Sequence, residues 1–193
     1  DVQGQACTEA IVALRRHDML GFTVNKLLVK RIIDENGLRF IEGLSHREDE
    51  IFLLQYIPHV SRIVINEKTP YHYRVLGSGL SKKRKPTELI LRVSRQLHDL
   101  FLQAAPTQEG RYVAARIRLQ QCCEAVAASK TNEELHIAVK AARNAREEYL
   151  STFDPAFLAD RRDRKVAARS RWVFALGALS GRLLRRLTRL IHI

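Results

Sequence analysis

Residues 45–58 read Ser45-His46-Arg47-Glu48-Asp49-Glu50-Ile51-Phe52-Leu53-Leu54-Gln55-Tyr56-Ile57-Pro58, and the architecture of the first half of the chain turns on this stretch. Ser45 is placed to cap a helix. Glu48, Asp49 and Glu50 then fall in its first turn, where acids meet the positive end of the helix dipole. Phe52, Leu53, Tyr56 and Ile57 follow at helical spacing, and Pro58 ends the run because it cannot donate into a helix. His46 reads as a surface histidine. A carboxylate at a helix start beside a loop can face a cleft and act as a general base, whereas acids in a first turn also occur for capping alone.

Upstream, Thr8 is expected to cap a helix carrying Ile11, Val12 and Leu14, and Gly21 interrupts it. Lys26 to Asn36 reads as a second helix with Leu28, Ile32 and Ile33 on one side. Asn36-Gly37 stops it, because Gly accepts the left-handed conformation past a helix end. Leu38-Arg39-Phe40 alternates as a short strand does. Downstream, Ser61 to Ile65 is β-branched and strand-like, and Pro70 precedes a second strand, Tyr71-His72-Tyr73-Arg74-Val75-Leu76. Its alternation sets Tyr71 and Tyr73 on one face and His72 and Arg74 on the other.

The register changes at Lys82-Lys83-Arg84-Lys85-Pro86, a basic linker, and beyond it the pattern is helical. Thr87 to about Ala105 forms one helix with Leu89, Val93, Leu97 and Leu100 as its stripe. A second follows Gln108-Glu109-Gly110 and ends near Ser129. Thr131 with Glu134 fits a capping box, which opens a third. Asp154-Pro155 starts another, with Pro at its first position. In the last helix Trp172, Leu176, Leu179, Leu183, Leu187 and Leu190 share one face, Val173, Leu184 and Ile191 lie at its edge, and Arg182, Arg185 and Arg189 lie opposite with Arg186 at the boundary. An interfacial helix on an anionic membrane surface has this form. So does a helix packed on protein with a solvated basic face.

The 193 residues hold 33 Lys and Arg against 21 Asp and Glu, a net charge of +12. Residues 161–193 account for +9 and residues 82–85 for +4, so the remainder is nearly neutral. A nucleic-acid binder is disfavoured, since the basic charge is its sole support and neither zinc spacing nor an aromatic RNA-binding sheet accompanies it. Cys7, Cys122 and Cys123 form neither a CxxC pair nor a disulfide framework, which points to buried thiols in a reducing compartment. No secretory leader is evident. The apolar run Trp172 to Leu179 falls short of the ~20 residues a spanning helix needs.

Four short motifs occur in a fixed order: Asn25-Lys26-Leu27-Leu28, Leu38-Arg39-Phe40, Glu48-Asp49 running into Ile51-Phe52, and Tyr71-His72-Tyr73-Arg74 followed by Ser78 and Ser81. In this order they resemble the second half of a family 2 glycosyltransferase, the inverting GT-A type that builds bacterial surface polysaccharides, over about residues 20–82. The resemblance implies an α/β fold for residues 1–81, a partial GT-A domain lacking its N-terminal half, joined by residues 82–86 to an all-helical extension over residues 87–193. It implies that Asp49 is the base that deprotonates the acceptor hydroxyl and that Glu48 and His46 support the acceptor site. Lys26, His72 and Arg74 are implied at the donor phosphates or in support of the site. Trp172, Arg182, Arg185, Arg186 and Arg189 are the expected membrane contacts. A nucleotide-sugar donor, a glycan or lipid-linked acceptor and a divalent metal (Mg or Mn) are implied for the complete enzyme, with the metal site outside this chain. The expected place of action is the cytoplasmic face of the cell membrane, peripherally bound. Val24 stands where the family usually has Trp, and neither Asp-x-Asp nor Gln-x-x-Arg-Trp is present. The chain, which opens on Asp1, is therefore expected to be a fragment. The competing expectation is a non-catalytic helical module that binds membrane or a partner through a degenerate transferase half.

Overall fold

A computed structural model describes residues 2–66, 71–72, 84–153 and 166. These residues are mostly helical. They divide into two compact units, one of residues 1–83 with 99–113 and one of 84–98 with 114–193.

The first unit opens with β1 (Val2–Gln3), which pairs antiparallel with β2 (Arg62–Ile63), Val2 opposite Ile63 and Gln3 opposite Arg62. Helix α1 (Gln5–Arg16) starts at Gly4, whose φ of 57° suits a residue without a side chain, so Thr8 lies inside the helix instead of capping it. Ile11 and Val12 are buried on its inner face. Helix α2 is only Lys30–Glu35, because Val29 is extended at ψ 110° and holds residues 26–29 out of the expected helix. Its stop is as expected: Gly37 has φ 59°, and the Gly37 and Leu38 amides donate to the Asp34 and Ile33 carbonyls. Helix α3 (Glu48–Tyr56) runs into a 3-10 turn at Ile57–His59 containing Pro58. Ile51, Phe52, Leu53, Leu54 and Tyr56 are buried, as are Phe101, Ala105, Tyr112 and Val113 of the same unit.

The α/β class expected for residues 1–81 is corrected here. Among the described residues the only sheet is the two-residue ribbon β1–β2. Leu38-Arg39-Phe40 is not a strand: Gly37 and Gly43, both at positive φ, turn the chain on either side of it. Phe40 instead stacks on Phe52, with ring centroids 4.4 Å apart and planes 9° from parallel. Of Ser61 to Ile65 only Arg62–Ile63 are paired. Tyr71 and His72 lie outside any strand, and residues 73–76 lie outside the described residues.

The described residues of the second unit are mostly helical. Helix α4 (Thr87–Ala104) buries Ile90, Val93, Leu97 and Phe101, one step round from the stripe expected, with Leu89 and Leu100 half-buried. Helix α5 (Gln108–Ala128) is buried on nearly every side between Tyr112 and Val126, which its many alanines permit. Helix α6 (Asn132–Ser151) buries Leu135, Ala138, Val139, Ala142, Ala145 and Tyr149 on one face. Its capping box is formed: Thr131 Oγ1 accepts from the Glu134 amide at 3.1 Å, and the Glu134 carboxylate accepts from the Thr131 and Lys130 amides. Arg84 donates to the Ala127 carbonyl at 2.7 Å, which ties the last residues of the basic linker to the end of α5. No described helix is long and apolar enough to cross a membrane. The expected helices after Asp154 and at the C-terminus lie outside the described residues.

Candidate active site

The site is built on the N-terminus of α3. Arg47, at φ 57°, precedes the helix in place of the expected Ser45, and its carbonyl accepts from the Ile51 amide at 3.0 Å. The three carboxylates that follow have different fates. Glu48 and Asp49 are partly exposed. Glu50 is 1% exposed and lies 2.6 Å from the Nε of Arg15, itself 4% exposed, at the end of α1. Arg47 Nη1 reaches the other Glu50 oxygen at 3.3 Å, and Arg15 Nη1 reaches Asp18 at 3.1 Å. A buried carboxylate requires such pairing, since desolvation otherwise costs several kcal/mol.

The loop after α1 closes this side. Asp18, at φ 55°, donates its amide to Arg15, and the Met19 amide donates to Leu14. Gly21 follows; a Cβ there would touch the Glu50 carboxyl at 3.5 Å. The Lys26 ammonium then gathers the loop, donating to the Met19 carbonyl (2.8 Å), the Phe22 carbonyl (2.6 Å) and Asn25 Oδ1 (2.7 Å). Burial pushes its pKa down to about 8, against the opposing charges of Asp49 and then Glu50. Val29 donates its amide to the Tyr56 hydroxyl at 2.9 Å, which anchors the loop to the far end of α3.

Of the expected site residues, Lys26 lies within the electrostatic reach of Asp49, and Glu48 precedes Asp49 on the helix. The three hydrogens of Lys26 are taken up by its own loop, so its place is that of a clamp beside the acid and not of a phosphate ligand. His46, expected at the surface, is buried, and His72 is exposed outside any helix or strand. Arg74, Trp172, Arg182, Arg185, Arg186 and Arg189 lie outside the described residues. Arg15 and Arg47 were not singled out from sequence, and Glu50 only as a member of the acidic triplet with Glu48 and Asp49. Glu50 shares a helical face with Leu53, Leu54 and Ile57, a spacing that places it inward. Nothing in the spacing pairs it with Arg15, thirty-five positions earlier.

A second polar cluster lies in the helical unit. Glu148 of α6 takes His98 Nε2 of α4 on one oxygen and Arg118 Nη1 of α5 on the other, both at 2.7 Å. The cluster joins three helices and was likewise not foreseen. Cys122 is buried 3.9 Å from Ser94 Oγ, and burial pushes its thiol pKa up, which makes it a poor nucleophile. None of the three cysteines is in a disulfide.

Among the described residues no group of three or more His, Cys, Asp or Glu side chains is placed to hold a metal ion. The residues present therefore do not fit a metal, and no chemical step is routed through one. Comparison with known protein families, curated proteins and solved structures finds no match for this chain.

Proposed function

We propose that the first unit is the acceptor-side part of an inverting glycosyltransferase that moves a sugar from a nucleotide-sugar to a hydroxyl of a glycan or lipid-linked acceptor in surface polysaccharide synthesis. The single observation that carries the proposal is the division of labour at the start of α3. Glu50 is locked inward by Arg15 and Arg47, while Asp49, one residue earlier, stays partly exposed with its charge felt by Lys26. That arrangement supports one acid as framework and its neighbour as the reacting group. The proposal concerns the site: the sheet of a GT-A domain is not formed by the described residues.

In the proposed reaction Asp49 accepts the proton of the acceptor hydroxyl. The hydroxyl oxygen attacks the anomeric carbon from the face opposite the diphosphate. The bond from that carbon to the diphosphate oxygen breaks, the nucleoside diphosphate leaves with the electron pair, and the configuration inverts. Glu48 is assigned to the acceptor side and Lys26 to holding the loop against the acid. The work is placed at the cytoplasmic face of the membrane, with the C-terminal arginines as lipid contacts.

The test is complementation. A host strain lacking the gene receives either the wild-type reading frame or Asp49→Asn, and its surface glycan is measured. Restoration by wild type alone, with equal protein levels, supports the base assignment; restoration by Asp49→Asn sinks it. A second reading, a non-catalytic helical module, is favoured by the helical character of the described residues. It predicts that Asp49→Asn has no effect on the glycan.

A further inference from the structure

Residues 19–31, Met19 to Arg31, contain three cations, Lys26, Lys30 and Arg31, and no acid. Five large apolar side chains in this segment, Met19, Phe22, Val24, Leu27 and Val29, are about half exposed or more, and Leu27 at 102% projects wholly into solvent. The Lys30 and Arg31 side chains, 84% and 77% exposed, follow directly on the apolar tip. Their partners Asp34 and Glu35 lie one turn further on, outside the segment; such exposed pairs are weak and yield to a stronger anion.

Several polar groups of the segment are engaged within the protein: Lys26 serves the Met19 and Phe22 carbonyls, the Lys26 amide donates to the Thr23 carbonyl, and the Val29 amide is taken by Tyr56. A backbone polar group entering a low-dielectric layer without a partner costs several kcal/mol, so these groups are spared that cost and the segment suits the headgroup boundary more than the acyl interior. What it offers outward is aliphatic surface, with the exposed cations Lys30 and Arg31 at its edge in weak pairs with Asp34 and Glu35. Anionic lipid is the partner of that chemistry: acyl chains for the tip, phosphate for the cations.

We propose that residues 19–31 form a lipid-facing loop that seats Leu27, with Phe22, Val24 and Val29, at the boundary between headgroups and acyl chains of an anionic bilayer, with Lys30 and Arg31 among the headgroups. This contact is separate from the C-terminal arginines and does not depend on the transferase reading.

The test uses the full chain with Arg182, Arg185, Arg186 and Arg189 changed to Ala, so that the loop is read without them. Vesicles are of phosphatidylcholine alone or mixed with phosphatidylglycerol. The parent is expected to bind the mixed vesicles in a salt-sensitive manner. Leu27→Asp is expected to weaken that binding roughly tenfold or more, with an unchanged thermal midpoint because the side chain is fully exposed. A second variant, Leu27→Trp with Trp172→Phe, carries a single fluorophore at the tip. Its emission is expected to move to shorter wavelength on mixed vesicles and to be quenched by brominated acyl chains. Unchanged emission, or Leu27→Asp binding as the parent does, overturns the proposal. So does an emission shift that follows protein concentration without vesicles, which would mean that a second copy covers the loop.

Discussion

The ammonium of Lys26 has three hydrogens and three acceptors, the carbonyls of Met19 and Phe22 and the side chain of Asn25. Its pKa nonetheless falls from 10.5 to about 8, because burial outweighs the help of Asp49 and Glu50. Between about pH 8 and 10.5 the unfolded chain holds a proton that the folded chain has shed, so the stability contributed by this group rises with pH across that window. The thermal midpoint of wild type is therefore expected to gain on that of Lys26→Met as pH is raised through it; a constant difference contradicts this. At the Arg15–Glu50 pair, removing one partner strands a buried charge. Arg15→Met is expected to destabilise by about 3–5 kcal/mol, and the double change Arg15→Met with Glu50→Leu by clearly less, as read from denaturant unfolding. Asp49 was legible in sequence because position in a first helical turn is local. Glu50 was only partly so: its apolar neighbours at helical spacing mark its burial, but the arginine that permits that burial comes from another helix.

Among the elements, α6 shows what local chemistry determines. Thr131 and Glu134 sit three apart, and both halves of the box form. Thr131→Ala is expected to cost about 1 kcal/mol, measured by thermal unfolding. The amides of Lys130 and Thr131 hold the Glu134 carboxyl below its ordinary range. Its contribution is therefore present above the ordinary glutamate pKa and lost as pH falls through the lower folded value. The turn between α4 and α5 carries a harder constraint: a Cβ on Gly110 would lie 1.9 Å from the Ala105 carbonyl oxygen. Gly110→Ala must shift backbone and is expected to cost about 3 kcal/mol, again by thermal unfolding. The extent of α4 and the end of α5 were legible within a residue or so, since Pro106 and the apolar spacing agree, but α5 starts at Gln108, three residues before its expected start after Gly110. Helix α2 was overread. Its apolar spacing continues back to Leu28, but Lys26 is engaged by carbonyls of its own loop and the extended Val29 donates its amide to Tyr56 of α3, a contact that helical spacing does not show.

At the scale of the whole molecule, the division into units is only half visible in sequence. The basic linker begins at Lys82, beside the boundary after residue 83, but residues 99–113 belong with the first unit although they are parts of α4 and α5. A helix carries no mark along its length for where its packing partners change. Strand periods were misleading for a related reason: a strand needs a partner, and Leu38-Arg39-Phe40 spends its aromatic residue on Phe52 instead. In the proposed reaction the partly exposed acid of α3, Asp49, removes a proton from an acceptor hydroxyl. The most direct test of that step is the rate of transfer of a labelled sugar from nucleotide-sugar donors to acceptors in the host's own membranes, by the product of the complete reading frame, wild type against Asp49→Asn. A fall of roughly 10²–10⁴-fold with an unchanged thermal midpoint is expected. Transfer by Asp49→Asn at the wild-type rate would contradict it.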